Sequence, residues 1–326
     1  MENNEWDVII VGGGAAGLSA ALMLGRALRR VLVLDGGNPR NRFASHMHGV
    51  LGNEGTNPLE FLTRARAEVA GYGVEVRTGV VKQVTETTTG IAVETDDGGR
   101  LTARRLIAAS GVRDDLPEIP GLAQRWGRDV LHCPYCHGWE VRGKRLAVLA
   151  SSPMGIHQAQ LIRQWSHDVV FFTALAGPVD GSVAAQLAAR NVASDPRPVT
   201  ELVTEDNVLT GVRVEGGEVV DVDAVFTAAT LIPQDGYLSG LDLEREDSVF
   251  GSFLKADPTG RTSHPRIWAV GNITAPAANV PISIAAGAMA GGMINADLVT
   301  EDFALATTSA ATPAAVSAAA GEMGAS

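Results

Sequence analysis

Two cysteines occur in the 326-residue chain, three positions apart, within His132-Cys133-Pro134-Tyr135-Cys136-His137-Gly138-Trp139-Glu140. A Cys-x-x-Cys pair closes a small disulfide ring that opens and recloses readily. Its thiolates are stabilised near a helix N-terminus or a cation. The spacing therefore suits two-electron thiol–disulfide exchange. Zinc is the competing chemistry, because His132 and His137 bracket the cysteines. Four ligands within six residues converge poorly on one ion, and tetrahedral sites draw on two separated segments. No metal is expected.

Such a pair needs a frame. Asp7–Val11 is a short apolar run of the kind buried in a parallel sheet. Gly12-Gly13-Gly14-Ala15-Ala16-Gly17 follows, then a helix predicted over 18–29 and a buried strand, Val31–Leu34, ending at Asp35. In this context Gly12 permits a tight turn, Gly14 lets the backbone approach a pyrophosphate, and Gly17 lets helix and strand pack closely. The N-terminus of that helix offers N–H groups to phosphates, with Ala15 and Ala16 of the turn beside them. Asp35, 21 residues after Gly14, is placed with Gly36 to meet a ribose hydroxyl. The triplet marks a dinucleotide without choosing between FAD and NAD.

A second β-α-β unit opens at Leu146–Leu149, with a helix predicted over 156–165 and a strand over Val169–Phe172. Its turn is Ala150-Ser151-Ser152-Pro153-Met154-Gly155, so two of the three fingerprint glycines are Ala150 and Ser152. A side chain at the second position obstructs a pyrophosphate, and Pro153 removes an N–H donor. After Phe172 comes neither an acid for a ribose hydroxyl nor an arginine cluster for a 2′-phosphate. NADPH is not expected in the usual place.

The segment Thr262–Asn272 resembles the late motif of two-dinucleotide flavoproteins, whose terminal acid bonds the FAD ribityl chain. Asn272 replaces that acid, and an amide can still bond a hydroxyl. Four features follow the order of low-molecular-weight thioredoxin reductases to about residue 300. They are the glycine turn, the Ala109-Ser110-Gly111 strand end, the cysteine pair before the second unit, and Gly271-Asn272. Cys-Pro-Tyr-Cys is common in glutaredoxin-like sites too, but there it follows the first strand of a small domain. Within the reductase group, Cys-Pro-Tyr-Cys-His looks most like the small-molecule dithiol oxidases of the gliotoxin and holomycin type.

That resemblance implies FAD, with Cys136 facing the flavin C4a position and Cys133 meeting a substrate sulfur. His137 stands where the reductases carry an aspartate acid, and an imidazole can take a proton from a dithiol and return it. The 41–49 loop, with Arg42, His46 and His48, would wrap over the flavin. Ser110, Gly111, Gly271, Asn272 and Ile282 complete the expected cofactor set, the helix after Pro281 aiming its positive end at the isoalloxazine. The implied activity is oxidation of a small-molecule dithiol to its intramolecular disulfide, O2 reoxidising the flavin to give H2O2. A reductase fed by NADPH or ferredoxin and a non-catalytic dithiol-binding or redox-sensing flavoprotein are the alternatives. A homodimer is also implied.

The expected fold class is α/β with two Rossmann-like domains. The first, FAD-binding, is discontinuous over 1–115 and 242–303. The smaller, degenerate NAD(P)-binding-like domain over 116–241 carries the cysteine pair. Residues 304–326 are Ala, Thr, Ser, Gly and Pro with few large apolar side chains, and are expected to be a disordered tail. A net charge of −11 argues against nucleic acid and anionic membranes. No stretch is expected to reach the roughly 18 apolar residues of a membrane helix. The acidic Met1–Glu5 start lacks a basic n-region, so a cytoplasmic setting is expected.

Overall fold

The computed structural model describes residues 5–311. Trp6–Val11 lies at the centre of a seven-stranded sheet, parallel to Val31–Asp35 on one side and Arg100–Ala108 on the other. Val8, Ile9 and Ile10 are fully buried, as expected for a parallel strand covered on both faces. The nine-residue strand Arg100–Ala108 has two partners on its far edge. Its first half pairs antiparallel with Ile91–Thr95, and its second half pairs parallel with Ile267–Ala269. The chain thus returns, after a long excursion, to finish the sheet it began.

The excursion forms a five-stranded parallel sheet, ordered Val192–Asp195, Val169–Phe172, Leu146–Leu149, Ala224–Thr227 and Val130–Leu131. An antiparallel meander (Val199–Glu205, Val208–Val214, Val219–Asp221) covers one face, packing Leu202, Leu209 and Val212 onto Ala147, Leu149 and Phe172. Entry and exit run side by side, Val112–Asp115 antiparallel to Thr230–Pro233. The cysteine pair follows the edge strand Val130–Leu131 directly.

Element ends depart from expectation in three helices. The first spans Ala15–Arg26, because Gly14 serves as its extended N-cap and Leu28 turns to a positive φ. The second-unit helix spans only Gly155–Ile162. The last helix runs over Val280–Ala311, into the stretch expected to be a tail. The tail expected from residue 304 is therefore helical to 311, and residues 312–326 lie outside the described residues. Alanine, the strongest helix former, carries the chain on where composition alone suggested disorder.

This helix also corrects the expectation that no stretch reaches membrane-helix length: Val280–Thr308 is long and apolar enough by length and composition. Its inner face is occupied within the protein. Cβ atoms added at Gly287 and Gly291 would collide with Ala16 O and Ala20 O, so it lies at backbone distance from Ala15–Arg26. Asp297, Glu301 and Asp302 pair with Arg105, Arg104 and Arg29.

Candidate active site

Strand, turn and helix place the glycines as their types require. Gly12 has φ +110°, a conformation that only glycine adopts readily. A Cβ on Gly17 would overlap Gly12 O, so helix and turn touch at backbone distance. A Cβ on Gly14 meets nothing within 4 Å, and the helix starting beyond it has no side-chain cap. An open, uncapped helix start is what an anion requires. Gly13, not singled out in the sequence, is confined by Asp35, whose Oδ2 would lie 2.5 Å from an added Cβ.

Asp35 accepts from Arg66 Nη2 at 2.6 Å and from the Gly37 N–H at 3.0 Å. Arg66 was not anticipated; it arrives from a separate helix, Pro58–Ala70. Two acceptor positions on the carboxylate remain for a hydroxyl pair.

Cys133 and Cys136 form a disulfide, with Cα atoms 5.2 Å apart. Cys133 is the N-cap of the short helix Pro134–His137, and its Sγ accepts from the Cys136 N–H at 3.2 Å. Gly138 is required because Pro134 O and the Trp165 ring would lie 2.6 and 2.8 Å from a side chain there. Trp139 is no core residue: it is exposed, with the Arg142 guanidinium 3.9 Å above its ring. Among the described residues no group of three His, Cys, Asp or Glu side chains is arranged to hold a metal.

Histidines converge on this segment. The His48 ring stands edge-on to that of His137, centroids 6.5 Å apart, and His46 lies 6.4 Å from His48. His48 Nδ1 bonds Glu54 Oε1 at 2.6 Å, while Nε2 lies 3.6 Å from Glu140 Oε1. Burial lowers the His137 pKa below the usual histidine value, opposed by Glu140 and reinforced by His48. His132 is lowered too, by burial and then by Arg40. Both rings are thus held neutral in the folded state while the unfolded chain binds their protons. Stability should fall as pH drops below about 6.5, by up to about 1.4 kcal/mol per pH unit for each ring. Denaturant titrations at successive pH values measure this slope, and His132→Gln should flatten it.

The remaining cofactor candidates have mixed engagements. Ser110 Oγ donates to Gln234 O at 2.7 Å and faces Tyr237 Oη, and Gly111 takes φ +67°. Gly271 packs on Ala16. Arg42 is engaged locally, donating to Pro39 O and lying 4.1 Å above the Phe43 ring. Its neighbour Arg40, passed over in the sequence, forks onto Asp114 and reaches Pro276 O. The Ile282 N–H is already bonded to Asn279 Oδ1, and its side chain lines a cavity of about 380 Å³ with Phe250, Phe253 and Pro276.

Asn272 does more than replace an acid. Its Nδ2 donates to the carbonyls of Ala275, Pro276 and Ala278 at 2.8–3.2 Å, closing the 272–278 turn. This leaves Oδ1 to accept from a hydroxyl. A carboxylate could not donate to any of the three carbonyls. Asn272→Asp is therefore expected to destabilise the fold by about 1–3 kcal/mol, read from thermal or denaturant unfolding.

In the second unit, Gly155 keeps the packing role of the third glycine, Ala150 Cβ lying 2.8 Å from where its side chain would be. The rest of the turn is closed on itself. The Gly155 and Ile156 N–H groups donate to Ser152 O and Pro153 O at 2.9 and 3.2 Å.

Residues 6–292 match the family described as pyridine nucleotide-disulphide oxidoreductase. The chain belongs to that family. Among family relatives, it is 31% identical to the thioredoxin reductase tcpT of Claviceps purpurea, over 92% of this chain and 96% of that one. The thioredoxin reductase sirT of Leptosphaeria maculans is 28% identical over the same shares. The crystal structure of HlmI superposes with a TM-score of 0.89 at 42% identity, covering 95% of this chain and 98% of that one. Thioredoxin reductase-like architecture and an oxidoreductase role follow. Membership also implies FAD, and the open Gly14 cradle, the uncapped helix start and the Asp35 carboxylate fit its adenosine diphosphate half. Gly12, Gly14, Ala15, Ala16, Gly17 and Asp35 would hold it.

Proposed function

We propose that this oxidoreductase is an FAD-dependent dithiol oxidase that closes an intramolecular disulfide in a small-molecule dithiol. The observation that supports the reading is the turn at 150–155, which carries Ala150 and Ser152 in place of two fingerprint glycines and whose Gly155 N–H, with that of Ile156 after it, donates to Ser152 O and Pro153 O. Electrons then enter from sulfur. A substrate thiolate attacks Cys133 Sγ, the Cys133–Cys136 bond breaks, and Cys136 leaves as a thiolate. The second substrate thiol attacks the mixed disulfide, the substrate S–S bond forms, and Cys133 is released. Two electrons and two protons have passed from dithiol to protein. When bound, FAD supplies the two-electron acceptor for the reduced pair, and O2 accepts in turn to give H2O2. His137, kept neutral by burial, is the group beside Cys136 that receives and returns a proton.

The thioredoxin reductase names of tcpT and sirT favour a second reading, a disulfide reductase fed by NADPH or ferredoxin. Anaerobic mixing with dithiothreitol or with NADPH separates the two. Bleaching of the flavin band by dithiol alone supports the oxidase. Fast bleaching by NADPH with none by dithiol overturns it. A homodimer and a cytoplasmic setting belong to the same proposal and are checked by sedimentation and cell fractionation.

A further inference from the structure

His48 reaches the disulfide segment from the other sheet's side of the molecule, and it is held there. Its own loop contributes Glu54, which accepts from two directions: Oε1 bonds His48 Nδ1 at 2.6 Å, and Oε2 accepts from the Gly49 N–H at 2.8 Å. Gly49 has φ +73°, so the turn that presents Glu54 to the imidazole uses a conformation favouring glycine. With the proton on Nδ1 engaged by the carboxylate, the neutral ring exposes its lone pair at Nε2. That atom lies 3.6 Å from Glu140 Oε1, and the ring as a whole stands 6.5 Å from that of His137. The groups facing His48 are thus Glu54 and His46 on its own loop, and Glu140 and His137 on the disulfide segment.

We propose that Glu54 is a positioning residue that fixes His48 with Nε2 on the side of the disulfide segment, where Glu140 stands, making His48 the base that takes the proton of the incoming thiol. The proposal rests on the dithiol reading of the site. The substrate S–H proton passes to Nε2, and the thiolate so formed attacks Cys133. The resulting imidazolium lies between two carboxylates, Glu54 at Nδ1 and Glu140 near Nε2. The first proton is thereby accommodated at His48, and His137 stays neutral until its own exchange beside Cys136, since a charge on either ring opposes charge on the other. Glu54 itself is held ionised, its pKa lowered by the His48 bond and the Gly49 N–H.

Two readouts test this on the flavin-loaded protein, comparing wild type with Glu54→Gln and Glu54→Asp. In the first, ¹⁵N spectra of histidine-labelled oxidised protein report which His48 nitrogen carries the proton. Wild type should show protonated Nδ1, Glu54→Gln a mixture of tautomers, and Glu54→Asp the wild-type pattern. In the second, anaerobic reduction by dithiothreitol is followed against pH. Glu54→Gln should lower the neutral-pH rate by roughly 10–100-fold and move the rising limb of the profile to lower pH, with Glu54→Asp recovering the limb. An unchanged His48 tautomer or an unchanged profile in Glu54→Gln overturns the positioning role. Failure of dithiothreitol to reduce the wild type overturns the dithiol reading instead, and the spectra still decide whether Glu54 sets the His48 tautomer.

Discussion

Cys136→Ser is expected to abolish turnover of small dithiols, lowering oxygen uptake on the order of 10³-fold or more, while the flavin stays bound. The exchange needs a leaving thiolate, and serine offers none. Cys136 contributes little packing that serine would forfeit: it sits half-buried in a four-residue helix, and its N–H, which bonds Cys133 Sγ, survives the change. Loss of activity with unchanged melting temperature would assign the effect to chemistry. Binding of a dithiol without oxidation is the expected remainder, measured by calorimetry. Oxygen uptake at near-wild-type rates would mean that the pair is not the exchange centre, leaving a flavoprotein that only holds or senses thiols.

Gly17→Ala should have the largest effect on the fold, and Gly14→Ala the largest on the cofactor. A methyl group at 17 would overlap Gly12 O, a backbone atom held in turn by its strand, so neither partner can yield cheaply. Overpacking against a side chain costs typically 1–3 kcal/mol, and against this carbonyl about 3 kcal/mol or more is expected. A methyl group at 14 meets nothing within 4 Å, and the residue's φ of −81° suits any amino acid. That variant should melt within about 1 kcal/mol of wild type yet bind FAD far more weakly, because the methyl occupies the pyrophosphate's approach. Unfolding curves and flavin retention on a desalting column distinguish the pair. Equal behaviour of the two variants would remove the basis for assigning them different tasks.

The features legible in the sequence are local ones whose residue types admit few uses. Gly12, Gly14 and Gly17 stand within six positions, and each conformation or contact follows from the missing side chain. The cysteine pair likewise declares its own partner. Partners brought from a distance were not legible. Arg66 meets Asp35, Glu140 approaches His48, and Arg40 spans Asp114 and Pro276, and no spacing rule links those numbers. Glu54, six residues after His48 across a glycine turn, was within reach of a closer reading. Asn272 is legible only as an amide in an acid's place, because the three carbonyls it serves become neighbours only when the 272–278 turn closes. The helix at 304–311 is not legible, because alanine-rich composition serves both disorder and helix. The acids at 297 and 301, one turn apart, find their partners Arg105 and Arg104 only in the folded protein.

The late return of the chain to its first sheet has a consequence for synthesis. The second half of Arg100–Ala108 has Trp6–Val11 on one side but no neighbour on its far edge, and Ala15–Arg26 lacks its covering helix, until Ile267–Ala269 and the glycine-bearing face of the last helix emerge from the ribosome. At about 5–20 residues per second, the roughly 160 residues between Ala108 and Ile267 keep that strand edge bare for roughly 10–30 s, and the face of the first helix stays bare longer still. Nascent chains stalled before residue 260 should be cut readily by protease within the first helix, and full-length chains should resist.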